Sequence, residues 1–151
     1  MSSEITKSVL IDAPASVIFR ALTDEKELVQ WMPRTARMDP RVGGEYEFVF
    51  YKAANKSETA ARGRIVEIVP DRKLVYTFAW TREGPAAPST LLTWTLEEGS
   101  DGKTRVTLVH SGVGKDAFAV NLGWGYYLGN LSAHCAGKGG LALERDLQQD
   151  R

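Results

Sequence analysis

Between Tyr46 and His110 apolar side chains recur at every second position, and beyond Gly112 to Gly114 they recur at every third or fourth. An alternation of two lays an apolar face along a strand, whereas a step near 3.6 lays an apolar stripe along a helix. A chain patterned in this way makes a run of strands followed by one long helix to cover them. The connections Pro70-Asp71-Arg72 and Gly99-Ser100-Asp101-Gly102 fit antiparallel hairpins rather than crossovers.

The individual elements follow from the same rule. Ile5 to Ile11 reads as a strand, and Asp12-Ala13-Pro14 opens a helix in which Val17, Ile18, Ala21 and Leu22 share a face. Thr23-Asp24 can cap a second short helix through Leu28 to Trp31, which Pro33 ends. After Gly43-Gly44, Tyr46, Phe48 and Phe50 alternate with Glu45, Glu47 and Val49, a strand with one aromatic face. Further strands are Ala61 to Val69, Lys73 to Thr81 (Leu74, Tyr76, Phe78 and Trp80 on one side), Thr90 to Leu96 (Leu92, Trp94) and Lys103 to His110 (Val106, Leu108, His110). Gly84 to Pro88 reads as a loop. The last helix runs from about Lys115 to Ala136 with Val120, Trp124, Leu128, Leu131 and Cys135 as its stripe, broken by Gly137-Lys138-Gly139-Gly140 before a final turn around Leu141 to Leu147. The expectation is an α+β fold over residues 1–151 as a single domain: a curved antiparallel sheet of about six or seven strands wrapped round a long C-terminal helix, with two short helices after the first strand. A straight helix cannot touch all of a curved sheet, so space is expected near one end.

Charge and cysteine content narrow the function classes. Lys plus Arg and Asp plus Glu both number 19, leaving no net field to draw the chain to nucleic acid or to anionic lipid. Cys135 alone cannot make an internal disulfide and suits a reducing compartment. Met1-Ser2-Ser3-Glu4 is no basic leader and no apolar run approaches a membrane span, so a cytoplasmic location is expected.

Several segments, read in order, carry a resemblance: Ala13-Pro14 with Val17 and Phe19; Trp31 and Pro33; Arg41-Val42-Gly43-Gly44-Glu45-Tyr46-Glu47-Phe48; Gly63 through Glu67 with Pro70; Leu74-Val75-Tyr76-Thr77; Thr104-Arg105-Val106-Thr107; His110-Ser111-Gly112; and Gly123-Trp124. From about Ile5 to Leu147 the chain resembles the START-like (SRPBCC) helix-grip superfamily, and within it proteins similar to the C-terminal domain of the activator of heat-shock protein 90 ATPase. The resemblance implies a cavity between sheet and helix, with contents that differ between members. It also implies a chaperone contact as one alternative, although the eukaryotic co-chaperone carries a separate N-terminal domain for which these 151 residues have no room. The glycines of the last helix, Gly123, Gly125, Gly129 and Gly137, depart from a good helix former by about 0.5–1 kcal/mol each and call for close approach to the sheet or for ligand space.

Apolar ligand sites are lined by aromatic and aliphatic side chains. The lining expected here is Phe19, Trp31, Tyr46, Phe48, Tyr76, Phe78, Trp80, Trp94, His110, Phe118, Trp124 and Tyr127, with plain core packing as the competing role of each. No metal or other cofactor is expected, since His110, His134 and Cys135 form no coordination motif. Nor is an activated nucleophile: Ser111 and His110 are strand neighbours and point to opposite faces. Glu45 and Glu47 fall opposite their strand's aromatics, whereas Glu67 shares a face with Ile65 and Val69. Arg34, Arg37 and Arg41 cluster near one loop as a solvated surface, with anion steering the sharper alternative. The first functional reading is non-enzymatic binding of a small, mostly apolar molecule. The second is a cyclase- or hydrolase-type enzyme using His110, Glu67 or a tyrosine as acid or base, and the third a co-chaperone or protein-interaction module with a filled interior.

Overall fold

The computed structural model describes residues 4–52, 57–81, 89–113 and 117–136, apart from the side chains of 51, 52, 57 and 117–119. In chain order these residues form β1 (Glu4–Ile11), α1 (Ala15–Thr23), α2 (Glu25–Leu28), β2 (Thr35–Met38), β3 (Glu45–Lys52), β4 (Ser57–Val69), β5 (Lys73–Trp80), β6 (Thr90–Glu98), β7 (Thr104–Ser111) and α3 (Ala117–Cys135). The strands make one antiparallel sheet in the order β1-β7-β6-β5-β4-β3-β2. From β2 onward each strand pairs with its successor, as short connections dictate, and β1 pairs with the last strand, Glu4 opposite Ser111 through Ile11 opposite Thr104.

The two short helices are tied to this frame by specific groups. Pro14 caps α1 with φ −70°, and Glu98 of β6 accepts the Ala15 N–H at 2.8 Å, satisfying one orphan donor of the first turn. Asp24 caps α2 by accepting from the Lys26 and Glu27 amides. Trp31, fully buried, donates its Nε1–H to the Ala21 carbonyl at 2.9 Å and so fixes the chain leaving α2 against α1.

Helix α3 buries the expected stripe of Trp124, Leu128, Leu131 and Cys135, with Val120 packed against the same core. Polar contacts locate it further: Lys7 of β1 donates to Asn121 at 2.8 Å, Asn130 donates to the Trp31 carbonyl at 3.2 Å, and His134 meets Glu27 of α2 at 2.8 Å. A Cβ at Gly125 would touch Lys7, but a Cβ at Gly123 or Gly129 would meet nothing within 4 Å, so close approach to the sheet does not explain those two glycines.

Other departures have local causes. Strand β2 was not anticipated, because four residues at a sheet edge are too few to display an alternation. Helix α2 closes at Leu28, ahead of the expected Trp31, and α3 spans Ala117–Cys135 within the expected 115–136. The anticipated 84–88 loop, the 137–140 break and the final turn at 141–147 lie outside the described residues. In β4 the register shifts between Ile65 and Glu67. This bulge breaks the alternation that placed Glu67 with Ile65: Ile65 is buried, while Glu67 is exposed and pairs with Lys73 at 3.2 Å. Glu45 and Glu47 point outward as expected, to Arg64 at 3.0 Å and Arg62 at 2.7 Å. Arg34, Arg37 and Arg41 are all exposed, and Arg41 pairs with Asp39.

Candidate functional site

The concave face of the sheet and the buried side of α3 bring the chain's aromatic residues into two connected groups. Strand alternation decides that these rings point inward, but it does not fix how deeply each is buried.

The first group is buried. Trp31 and Trp94 stand edge to face with centroids 6.1 Å apart, and Tyr46 lies 4.6 Å from Phe48 and 4.8 Å from Tyr76. Phe19, Trp31, Tyr46, Phe48, Tyr76 and Trp94 are all buried. Their polar atoms are paired within the protein: Trp94 Nε1 donates to the Tyr76 hydroxyl at 3.0 Å, and the Tyr46 hydroxyl donates to the Thr77 carbonyl at 2.6 Å. The second bond is possible only because residue 63 is glycine. The Tyr46 ring lies across Gly63, where a Cβ would fall 1.8 Å from the Thr77 oxygen and 2.8 Å from that ring. Burial pushes both phenols far above the ordinary tyrosine range, so neither ionises near neutrality.

The second group closes on itself. Centroid distances run Trp124 to Tyr127 6.2 Å, Tyr127 to Phe50 5.9 Å, Phe50 to Trp80 5.5 Å, Trp80 to Phe78 5.2 Å, Phe78 to His110 5.5 Å and His110 back to Trp124 6.1 Å. All six pairs are tilted or edge to face, the arrangement that ring quadrupoles favour. Phe78, His110 and Trp124 are buried, whereas Phe50, Trp80 and Tyr127, consecutive in the circuit, are only partly buried. One arc of the circuit therefore belongs to the interior and the other reaches solvent. Trp94 joins the two groups, its ring 5.6 Å from that of Trp124.

Within the inner arc a single relay uses every polar atom. Trp124 Nε1–H donates to His110 Nδ1 at 3.0 Å, which leaves the ring's proton on Nε2 and makes that nitrogen the donor to Thr90 Oγ1 at 2.7 Å. Thr90 in turn donates to the Phe78 carbonyl at 3.1 Å. Burial lowers the His110 pKa to about 4, so the imidazole is neutral near pH 7 and both nitrogens are engaged.

Of the twelve residues expected to line a cavity, the structure thus gathers Phe78, Trp80, His110, Trp124 and Tyr127 in the circuit and sets six in the core; the Phe118 side chain lies outside the described residues. Phe50 joins the circuit without having been among the expected lining residues, though its place two residues after Phe48 on the same face was the signal for it. Among the described residues no three of His, Cys, Asp and Glu come together as a metal site. An open depression of about 370 Å³ is lined by Val49, Glu58, Thr59, Ala60 and Thr81, none of them aromatic.

An antiparallel sheet gripping one long C-terminal helix, with two short helices after the first strand, defines a helix-grip protein of the START-like (SRPBCC) superfamily. More narrowly, the chain belongs to the family of Activator of Hsp90 ATPase homolog 1-like proteins, whose model matches residues 12–136. Among solved structures it is similar to protein CV1439 from Chromobacterium violaceum, at 28% identity and a TM-score of 0.77 over 87% of this chain and 96% of that one. CalU16 from Micromonospora echinospora is similar at 20% identity and a TM-score of 0.72, over 98% of this chain and 83% of its own. The Aha1 dimer from Colwellia psychrerythraea is similar at 20% and 0.72, over 91% and 99%. The last two likenesses bear on the fold alone. No curated protein matches the chain in sequence. No helix among the described residues is long and apolar enough to cross a membrane.

Proposed function

We propose that this protein binds a small, mostly apolar molecule against the aromatic circuit between the sheet and α3, without chemistry of its own, in the cytoplasm. The observation that carries the reading is the circuit itself: six rings in mutual contact, three of them reaching solvent on one side. Apolar rings left partly exposed and facing one another gain by covering a shared guest, which removes roughly 25 cal/mol of unfavourable hydration per Å² buried. The groups that an acid or base reading needs are engaged elsewhere. His110 uses both nitrogens, Glu67 is outside with Lys73, and burial raises Tyr46 and Tyr76 beyond useful acidity. The single Cys135, buried, suits a reducing compartment.

A protein-interaction reading has one observation of its own. Leu122 and Tyr126, one turn apart on the outer side of α3, are 63% and 67% exposed. They offer a small apolar patch but no enclosing walls, and the internal circuit remains the larger apolar feature.

The test is fluorescence titration with N-phenylnaphthylamine, an uncharged probe that brightens in apolar surroundings. Wild type should bind it well above an unrelated globular protein. Trp80→Ala removes a ring from the solvent-reaching arc and should weaken binding about tenfold, the equivalent of about 1.4 kcal/mol, with a smaller effect on stability than loss of a core tryptophan. Binding no better than to the unrelated protein, or unaltered in Trp80→Ala, overturns the proposal.

A further inference from the structure

We infer, resting on that reading, that the circuit selects an uncharged, flat ring system carrying a hydrogen-bond acceptor at the end that meets Tyr127. The juxtaposition behind this is of the Tyr127 hydroxyl, on the half-buried arc and without a described protein partner, with a set of rings whose polar atoms on the inner arc are already paired. On the inner arc the relay from Trp124 through His110 and Thr90 to the Phe78 carbonyl consumes each donor and acceptor in turn. A guest lying there finds only ring faces and edges, against which a flat aromatic or polyene surface makes the offset and edge contacts that the rings already make with one another.

The charged groups on and beside these elements are paired elsewhere. On the strands and helix that carry the circuit, Glu45 and Glu47 pair outward with Arg64 and Arg62, Lys73 pairs with Glu67, and His134 lies at the far end of α3 against Glu27. Arg105 of β7 reaches the Ser8 hydroxyl on the exposed side. Lys7 of β1, the cation packed beside Trp124's neighbour Gly125, is turned to Asn121 at 2.8 Å, and none of these pairs gives an ionised guest a counter-charge to replace its lost hydration.

Tyr127 differs from its neighbours. Its ring packs on Phe50 at 5.9 Å and Trp124 at 6.2 Å, yet its hydroxyl has no hydrogen-bond partner among the described residues. Burial moves its pKa upward, with the nearby Tyr126 adding to the shift, so the group is a neutral O–H donor at ordinary pH. It stands in the arc that reaches solvent, where a carbonyl or ether oxygen on the outer end of a guest would arrive.

Three probes of similar size separate the elements of the inference: N-phenylnaphthylamine, uncharged and without a carbonyl; anilinonaphthalenesulfonate, the same skeleton bearing an anion; and Prodan, an uncharged naphthyl ketone. The sulfonate should bind at least about tenfold more weakly than its uncharged counterpart, the cost of stranding an anion away from water. In Tyr127→Phe the ring remains and only the donor goes, so the Prodan affinity should fall about three- to tenfold relative to that for N-phenylnaphthylamine, the worth of one hydrogen bond. Equal binding of the sulfonate and its uncharged counterpart overturns the charge selection, and an unchanged Prodan ratio in Tyr127→Phe overturns the role of the hydroxyl; in both cases the binding site itself stands. Failure of all three probes to bind overturns the binding reading and this inference together. Thermal melts of Tyr127→Phe matching wild type tie the altered ratio to the hydroxyl rather than to the fold.

Discussion

Trp94→Ala should destabilise the protein by about 3–5 kcal/mol, the range found when a large aromatic is cut from a core that cannot collapse into the space. Trp94 has no exposed surface and is held on two sides by rings, Trp31 at 6.1 Å and Trp124 at 5.6 Å. Its partners are themselves anchored, Trp31 by the Ala21 carbonyl and Trp124 by His110, so neither can swing into the hole. The substitution also takes away the donor that the buried Tyr76 hydroxyl accepts, adding a polar cost to the cavity cost. For a chain of this size each kcal/mol moves the melting midpoint by about 2–4 °C, so a drop of roughly 6–20 °C is expected in a thermal melt. Trp94→Phe, which keeps a ring but loses the donor, should fall between. A loss under about 1 kcal/mol on the Trp94→Ala change would mean that the space around Trp94 is already loose.

Acid should weaken the fold through His110. Its pKa lies at about 4 in the folded chain against the 6.5 of an unburied imidazole. Between those values the unfolded chain binds a proton that the folded chain refuses, so stability rises with pH across that window. The His110 contribution is therefore whole above about pH 6.5 and is lost as pH falls through about 4, and the loss amounts to roughly 3 kcal/mol at 1.36 kcal/mol per pH unit. Carboxylates titrate in the same range, so the comparison to make is with His110→Gln, whose amide can accept from Trp124 and donate to Thr90 but carries no titrating proton. Urea melts at pH 7 and pH 4 should show wild type losing more stability than the glutamine variant. Parallel losses in the two proteins would contradict a buried neutral imidazole.

Much of this fold was legible because periodicity records which way a side chain points. Tyr46 and Phe48, Tyr76 and Phe78, Leu92 and Trp94 all face the core as the alternation requires, and the stripe of α3 buries Trp124, Leu128 and Leu131. What periodicity does not record is depth. It cannot tell Trp94, which has no exposed surface, from Trp80, half-buried at the end of the neighbouring strand β5, and so the expected lining took in buried and half-buried rings alike. The bulge at Ile65 to Glu67 escaped for a related reason, since one extra residue changes the phase of an alternation that sequence reading assumes to be continuous. Gly63 was noticed only as one piece of a resemblance, while its physical reason, the Tyr46 ring lying across it toward the Thr77 carbonyl, exists only once β3 and β4 are paired. The relay through His110 depends on three separate strands and α3 meeting at one point, and no local pattern announces that.

The binding claim is met most directly by native mass spectrometry of protein purified from its own host cells, recorded before and after denaturation in the same preparation. A population carrying the added mass of one small uncharged molecule is expected, released when the chain unfolds and displaced by excess N-phenylnaphthylamine. Protein found only at the mass of the bare polypeptide, and left so after incubation with that probe, would contradict it.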